Sequence, residues 1–267
     1  MLFCAVRVRR CRIDAILLTH FHSDHIDGLG ELLMQRWANS GSTTPTPVIG
    51  PEGVDEVVAG FNAAYRLDKG YRVAHHGAET IPPSGHGGKA QAFVAPADGE
   101  GPVVFDEDGV RITAFRVDHE PIDPSVGYRF DYAGRSVVIS GDTVKFANLQ
   151  HFAKGVDLLV HEGLAAHLVA VITDATVKAG RSNLAKITND IRDYHTTPVQ
   201  AAEIARDADV GYLLYNHIVP PLLIAPMEEL FLEGVADVYS GRHGIGRDGT
   251  LVSLPAGSTA IEVEELL

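Results

Sequence analysis

The sequence predicts an α/β fold in which layers of sheet lie between outer helices. Three observations support this prediction. Short apolar runs such as "VRITAFRV" and "VGYLLY" indicate strands, and between them apolar residues recur at helical spacing. The chain also shows no internal repeat, heptad run or low-complexity tract, which favours one domain spanning residues 1–267.

Taken in order, the strands and helices alternate along the chain. Leu29, Leu32, Leu33 and Trp37 have helical spacing, "STTPTP" is typical of a loop, and the glycine- and histidine-rich stretch 68–90 predicts a long loop. The turn "DYAGR" predicts a hairpin between two strands. The expected strands are 13–19, "VIG", 102–106, 110–117, 126–132, 135–140, 156–160, 210–215 and short ones at the end; the expected helices are one from residue 29, 52–67, 163–179, 184–192, 197–208 and 226–233.

Composition is that of a soluble globular protein, with 45% apolar and 21% charged residues among 267. Cys4 and Cys11 are the only cysteines, so a disulfide framework is excluded and a cytoplasmic location is expected. No segment has the ~20 apolar residues that a membrane span needs. The net charge of −13 disfavours a nucleic-acid partner, because phosphate backbones are repelled by an acidic surface.

The stretch "THFHSDH", which directly follows an apolar run, is the most informative motif. Alternate side chains of an extended segment share a face, so His20 and His22 project together, and Asp24 and His25 follow where a helix begins. Imidazole and carboxylate are ligands for zinc and similar ions. The cluster predicts part of a metal site.

Further ligand types stand just past the ends of other predicted strands. They are His119, Asp142 and His217. Loops at the carboxyl ends of strands carry chemistry while the sheet holds them rigid. If these ends meet, seven ligands converge, which is the number that two ions sharing one carboxylate require.

The motifs "THFHSDHIDGL", "VDHEP", "ISGDT" and "YNH", in this order, resemble the metallo-β-lactamase superfamily across nearly the whole chain. The resemblance implies an αββα sandwich with a dinuclear site at one edge. It assigns one metal to His20, His22 and His119 and the other to Asp24, His25 and His217, with Asp142 bridging. Zinc is favoured by ligand type, and manganese or iron is compatible.

A closer similarity, to the ribonuclease Z and arylsulfatase branch, rests on "DLLVHEG" and "YHTTPVQAAEIARDA". It implies that His195 is a proton donor. Thr197, Pro198 and Gln200 predict a capping box that starts the following helix. His161 and Glu162 are candidates for orienting other groups, and His75, His76 and His86 are candidates for contacting substrate.

Two departures from the branch concern the N-terminus and the substrate. Only nineteen residues precede the histidine cluster, so the N-terminal strands of the family are expected to be shortened, which makes a homodimer plausible through the sheet edge. No basic, glycine-rich insertion comparable with the tRNA-gripping arm of ribonuclease Z is evident. The substrate partner we expect is therefore a small-molecule ester, with no membrane involved.

These observations predict a metal-dependent hydrolase that cleaves a small phosphodiester or sulfate ester, with Asp24 and His195 as catalytic residues. The alternative within the same class is tRNA 3′-processing endoribonuclease. A catalytically inactive metal-binding homologue is an alternative from another class. Hydrolysis of β-lactams is disfavoured, because Asp24 and the ribonuclease Z-like helix are atypical of it.

Overall fold

The computed structural model describes residues 13–267. The chain forms two compact units, of which the first ends at Ala95 and the second runs from Pro96 to Leu267. That the whole chain is one domain stays a prediction. Cys4, Cys11 and the expected shortening of the N-terminal strands lie outside the described residues.

The first unit is built on a parallel three-stranded sheet with the order β1-β2-β3. The first strand is shorter than the apolar run 13–19 predicts, because only Ile16 and Leu17 pair with the neighbouring strand. The elements are β1 (Ile16–Leu17), α1 (Ser23–Ile26), α2 (Leu29–Ser40), β2 (Thr46–Pro51), α3 (Val54–Ala64), α4 (Arg66–His76), a short 3-10 helix (Pro83–Gly85) and β3 (Gly88–Phe93).

Helices α2 and α3 of the first unit bury the apolar faces that their spacing predicts. Leu29 and Leu33 form one core cluster with Val48, Val54 and Val58. Burying side chains of this size stabilises the fold by about 1.5–3 kcal/mol each. This packing holds the segment between β1 and α2, which carries the histidine cluster.

Helix α4 contradicts the predicted loop 68–90. It has no buried residue, contains Gly70, and its apolar residues Leu67 and Tyr71 are exposed among charged neighbours, so its composition is that of a polar loop. An ion pair from Arg72 Nε to Asp68 Oδ2, 2.7 Å long and one turn apart, stabilises it. His75 and His76 are exposed at its end, whereas the half-buried ring of His86 packs edge-on against Trp37.

The second unit is built on a mixed seven-stranded sheet with the order β10-β9-β8-β7-β6-β5-β4. Strands β4 to β7 pair antiparallel, including the predicted hairpin, and β7 to β10 pair parallel. Its elements are β4 (Val103–Glu107), β5 (Val110–Arg116), β6 (Val126–Tyr132), β7 (Arg135–Ile139), α5 (Ala147–Phe152), β8 (Leu158–Leu164), α6 (Ala166–Lys178), α7 (Ser182–Asp190), α8 (Pro198–Asp207), β9 (Tyr212–Val219), α9 (Pro226–Phe231), α10 (Val235–Val238), β10 (His243–Ile245), β11 (Thr250–Ser253) and β12 (Glu262–Glu265).

Helix α8 packs its apolar face on the centre of this sheet. Ala201 and Ile204 lie in one fully buried cluster with Leu159 and Leu213. The predicted capping box is present, since the Thr197 side chain accepts from the backbone N–H of Gln200 and the Gln200 side chain accepts from that of Thr197. The start of α8 is thereby fixed, along with the segment that precedes it.

Among residues 13–267, no helix is both long and apolar enough to cross a bilayer. The cytoplasmic location stays a prediction.

Candidate active site

One edge of the seven-stranded sheet gathers the polar residues of the second unit. Strands β5, β7, β8 and β9 run in the same direction, so their carboxyl ends meet at that edge. His119 follows β5 and Asp142 follows β7, while Glu162 and His217 lie near the ends of β8 and β9. The strand order therefore brings together three of the residues predicted as ligands.

A bulge aims the side chain of His217. Glu162 pairs with Asn216 and Gly163 with Ile218, which leaves His217 as the extra residue in β9. Its φ of +44° lies in the left-handed region, which a residue with a Cβ adopts at a cost of about 1–3 kcal/mol. Strain of this kind is typical of residues whose position serves a function.

Asp142 lies between two imidazoles. Its Oδ2 is 3.6 Å from Nε2 of His217 and 3.9 Å from Nε2 of His119. Asp142 and His119 are almost fully buried, at 2% and 1% exposure. Two atoms bound at about 2.1 Å to one tetrahedral ion are separated by about 3.4 Å, so these distances suit ligands that share a metal.

The backbone sets the tautomer of His119. Its Nδ1 lies 2.9 Å from the carbonyl oxygen of Tyr194, which can only accept, so Nδ1–H is the donor. The lone pair is then on Nε2, the atom that faces Asp142. A second hydrogen-bond partner of this kind is usual for metal-binding histidines.

Glu162 holds His195. The Glu162 carboxyl is 1% exposed, and its Oε1 lies 3.1 Å from Nδ1 of His195. The same oxygen accepts from the backbone N–H of Thr196 at 2.8 Å and of Thr143 at 3.3 Å. With Nδ1 held in this way, Nε2 of His195 is the atom available for proton transfer.

The loops around this pair are tied to each other. The Thr196 hydroxyl donates to the carbonyl of Thr143 at 2.5 Å, and the Thr143 hydroxyl donates to the carbonyl of Asp118 at 3.1 Å. Burial and the nearby charge of Asp142 raise the pKa of Glu162 well above its ordinary value, and the two backbone N–H groups oppose that shift. Asp142, His195 and His217 each offer a ligand atom within 4.8 Å of one another.

The first unit carries the other predicted ligands in a compact cluster. His20 Nε2 lies 3.2 Å from His22 Nδ1, and Asp24 Oδ2 lies 3.4 Å from His25 Nε2. Nδ1 of His20 contacts the hydroxyl of Thr19 at 3.1 Å, so Nε2 faces the cluster. Both separations match the spacing of two ligands on one ion.

The donor set fits divalent ions of the zinc type. It consists of neutral imidazole and carboxylate in both units, in pairs whose spacing matches shared coordination. The sequence motifs identified these residues but not Thr143, Thr196 or the Tyr194 carbonyl. All three stand next to a predicted site residue. They contact the site through backbone N–H and C=O groups, which every residue type has, so the sequence could not reveal them.

A model of the beta-lactamase superfamily domain matches residues 4–218 of the chain. The chain belongs to this superfamily. It is a hydrolase of the metallo-β-lactamase fold, which confirms the predicted α/β fold class and the predicted enzyme class.

Curated relatives of the chain are ribonucleases. Ribonuclease Z of Mycobacterium avium (strain 104) is 39% identical over 256 residues, which cover 95% of this chain and 84% of that protein. Ribonuclease Z of Mycolicibacterium paratuberculosis (strain ATCC BAA-968 / K-10) is 38% identical over 248 residues, covering 92% and 81%. The resemblance to the ribonuclease Z branch is thereby confirmed, whereas the arylsulfatase likeness has no such support.

Solved structures share the fold. The metallo-beta-lactamase fold protein YhfI from Bacillus subtilis has a TM-score of 0.56 at 19% identity, covering 90% of this chain and 78% of that one. The short form of human tRNase Z has a TM-score of 0.55 at 21% identity, covering 79% and 75%. At these identities the likeness shows the fold alone.

The expected partner, a small-molecule ester with nucleic acid disfavoured, is wrong, because the curated relatives are ribonucleases. The inference failed because net charge is a sum over the whole chain. Binding of a phosphate backbone depends on the local potential, which metal ions and a few grouped cations dominate.

Proposed function

We propose that this protein is a ribonuclease Z-type endoribonuclease that processes the 3′ ends of tRNA precursors. The observation that carries the proposal is the 39% identity to a ribonuclease Z across 95% of the chain. The buried pair Glu162–His195 supports it, because cleavage of an RNA phosphodiester expels a poor leaving group that needs a proton.

The proposed site holds two divalent ions. His20, His22 and His119 would hold one ion and Asp24, His25 and His217 the other, with Asp142 between them. The support is the spacing within each unit, 3.2–3.4 Å for the pairs of the first unit and 3.6–3.9 Å around Asp142. Zinc is the metal we propose from the ligand types.

Bound ions of this kind lower the pKa of water and stabilise the charge that develops on the phosphate. Asp24, on the first turn after the histidine pair, would receive the proton of the attacking water. His195 would protonate the leaving oxygen from Nε2, with Nδ1–H held by Glu162. The buried carboxylate thus fixes the orientation of the acid and stabilises its protonated form.

Cleavage of a precursor tRNA, beside a panel of chromogenic phosphodiesters and sulfate esters, tests the proposal. We expect a single cut that releases the 3′ trailer, lost on chelation and restored by added zinc. His195→Ala should abolish that cut with metal content unchanged. An intact precursor in the presence of metal-loaded protein that turns over the small esters would refute it.

A further inference from the structure

Helices α6 and α7 form a hairpin that joins the two members of the Glu162–His195 pair. Helix α6 begins four residues after Glu162, and α7 ends five residues before His195. The two helices meet through hydroxyls, since Thr173 donates to Thr188 at 3.0 Å. Only Val169, Thr176 and Thr188 are buried in the hairpin, so most of its surface faces solvent.

The tip of this hairpin is held by backbone hydrogen bonds. Gly180 has a φ of +68°, its N–H donates to Val177 O at 3.0 Å, and the N–H of Arg181 donates to Thr176 O at 2.9 Å. This is the Schellman arrangement of a helix end. Lys178 and Arg181 flank Gly180 and are therefore carried on a rigid turn.

The tip of the hairpin carries two cations that form no ion pair with any described residue, Lys178 and Arg181. Residues 96–267 contain thirteen cations and twenty-six carboxylates, and most of these cations are paired with a carboxylate. In the hairpin, residues 166–190, by contrast, three cations face two carboxylates. Within the described part of this unit, the cations that form no ion pair are Lys154, Lys178, Arg181, Arg192 and Arg242.

The tip of the hairpin lies far from the Glu162–His195 pair at its base, and such a separation suits a large substrate. Thirteen helical residues at 1.5 Å each place Lys178 about 20 Å along the hairpin from its base. A small ester at His195 would not reach that far. A folded RNA cleaved at one end would, because its phosphate backbone extends over tens of ångströms.

We propose that the tip of the α6–α7 hairpin binds the phosphate backbone of the RNA substrate, remote from the cleaved bond, through Lys178 and Arg181. The inference rests on the proposed function and adds a second contact site to it. Arginine and lysine neutralise phosphates and release their counterions, so the contact contributes to affinity and not to the chemical step.

The hairpin also exposes apolar side chains, which would suit a protein partner. Val171, Val177 and Ile187 are 66%, 62% and 56% exposed. A phosphate backbone presents a denser row of negative charge than a protein surface does, so the unpaired cations favour RNA over a second copy of this chain. Association of two copies through the hairpin is therefore an outcome that the experiment must detect.

The test compares a double variant, Lys178→Gln with Arg181→Gln, with a control, Arg111→Gln with Lys154→Gln, that loses the same charge from other elements. Binding of a tRNA without a 3′ trailer to the metal-loaded proteins is measured by fluorescence anisotropy from 50 to 400 mM salt. Cleavage of the precursor, turnover of a chromogenic phosphodiester and molar mass by sedimentation are measured in parallel.

We expect the salt slope of the dissociation constant to fall by about 0.9 per lost contact in the hairpin variant. The KM for the precursor should rise on the order of tenfold, with kcat and chromogenic turnover as in the control. Equal binding and equal slopes in the two variants, with an active wild type, would overturn this inference and leave the proposed function intact. A changed molar mass with unchanged RNA affinity would also overturn it, whereas a wild type that neither binds nor cleaves tRNA would refute the proposed function itself.

Discussion

Replacing Glu162 by glutamine exchanges the carboxyl group that contacts His195 for an amide of the same shape. The amide oxygen can still accept from the backbone N–H of Thr196, whose nitrogen now lies 2.8 Å from Oε1. The amide NH2 then takes the place of Oε2, which has no hydrogen-bond partner among the described residues. The variant therefore tests what the carboxyl group contributes to the acid without opening a cavity.

The expected losses follow from this geometry. An unsatisfied buried donor lowers the free energy of unfolding by about 1–3 kcal/mol. A general acid contributes 10²–10⁴-fold to the chemical step, so kcat for a precursor tRNA should fall within about that range. A p-nitrophenolate leaving group needs no proton, so turnover of bis-p-nitrophenyl phosphate should change by less than about threefold on the same principle.

The assay is the ratio of kcat for the two substrates, with metal content measured on the same samples. Glu203→Gln is the matched control, because it is the same substitution at a glutamate that pairs with Lys145 at 2.7 Å, away from His195. An exposed pair contributes about 1 kcal/mol or less. Equal losses on both substrates at unchanged metal content would refute the assignment of Glu162 and His195 to leaving-group protonation.

Three further predictions concern backbone strain, pH and metal. With metal removed, the free energy of unfolding measured in urea should be about 1 kcal/mol higher for His217→Gly than for His217→Ala, because only glycine relieves the φ of +44°. The opposite order would contradict the strained bulge. Burial lowers the pKa of His161 to about 4, so its contribution to stability is complete above pH 6.5 and falls by about 3 kcal/mol as the pH drops to 4. In the presence of a chelator, the free energy of unfolding of His161→Asn in urea should therefore fall less between pH 6.5 and 4 than that of the wild type. The same pH dependence in both proteins would exclude His161 as its source. Chelation should abolish tRNA cleavage and should leave the far-ultraviolet circular dichroism at 25 °C unchanged, because both cores are apolar clusters that contain no ligand; unfolding on chelation would contradict a purely functional metal.

Sequence patterns predicted those parts of the fold whose periodicity reflects a buried face. Strands β5 and β6 and helix α8 were predicted within one or two residues, because alternation, turn chemistry and a capping box all agree there. Helix α4 was missed because it buries no side chain and its few apolar residues stand among charged residues, glycine and histidine. Strand β1 was predicted too long, since hydropathy does not reveal how many residues find a pairing partner.

The candidate site was predictable as residue types and not as contacts. His119, Asp142 and His217 were found because each stands at a strand end, and the sheet order brings them to one edge. The bulge that aims His217 could not be predicted from the sequence, because even histidine adopts a positive φ in only a small share of cases. The hydrogen bonds of Glu162 with Thr143 and Thr196 also depend on loops that are far apart in the chain.

Metal content of the purified protein, measured by mass spectrometry with and without Asp142→Ala, tests the central claim most directly. The account predicts two divalent ions per chain in the wild type, and one ion or none in the variant, because Asp142 is proposed to lie between both sets of ligands. Fewer than two ions in an active wild type, or an unchanged count in the variant, would contradict it.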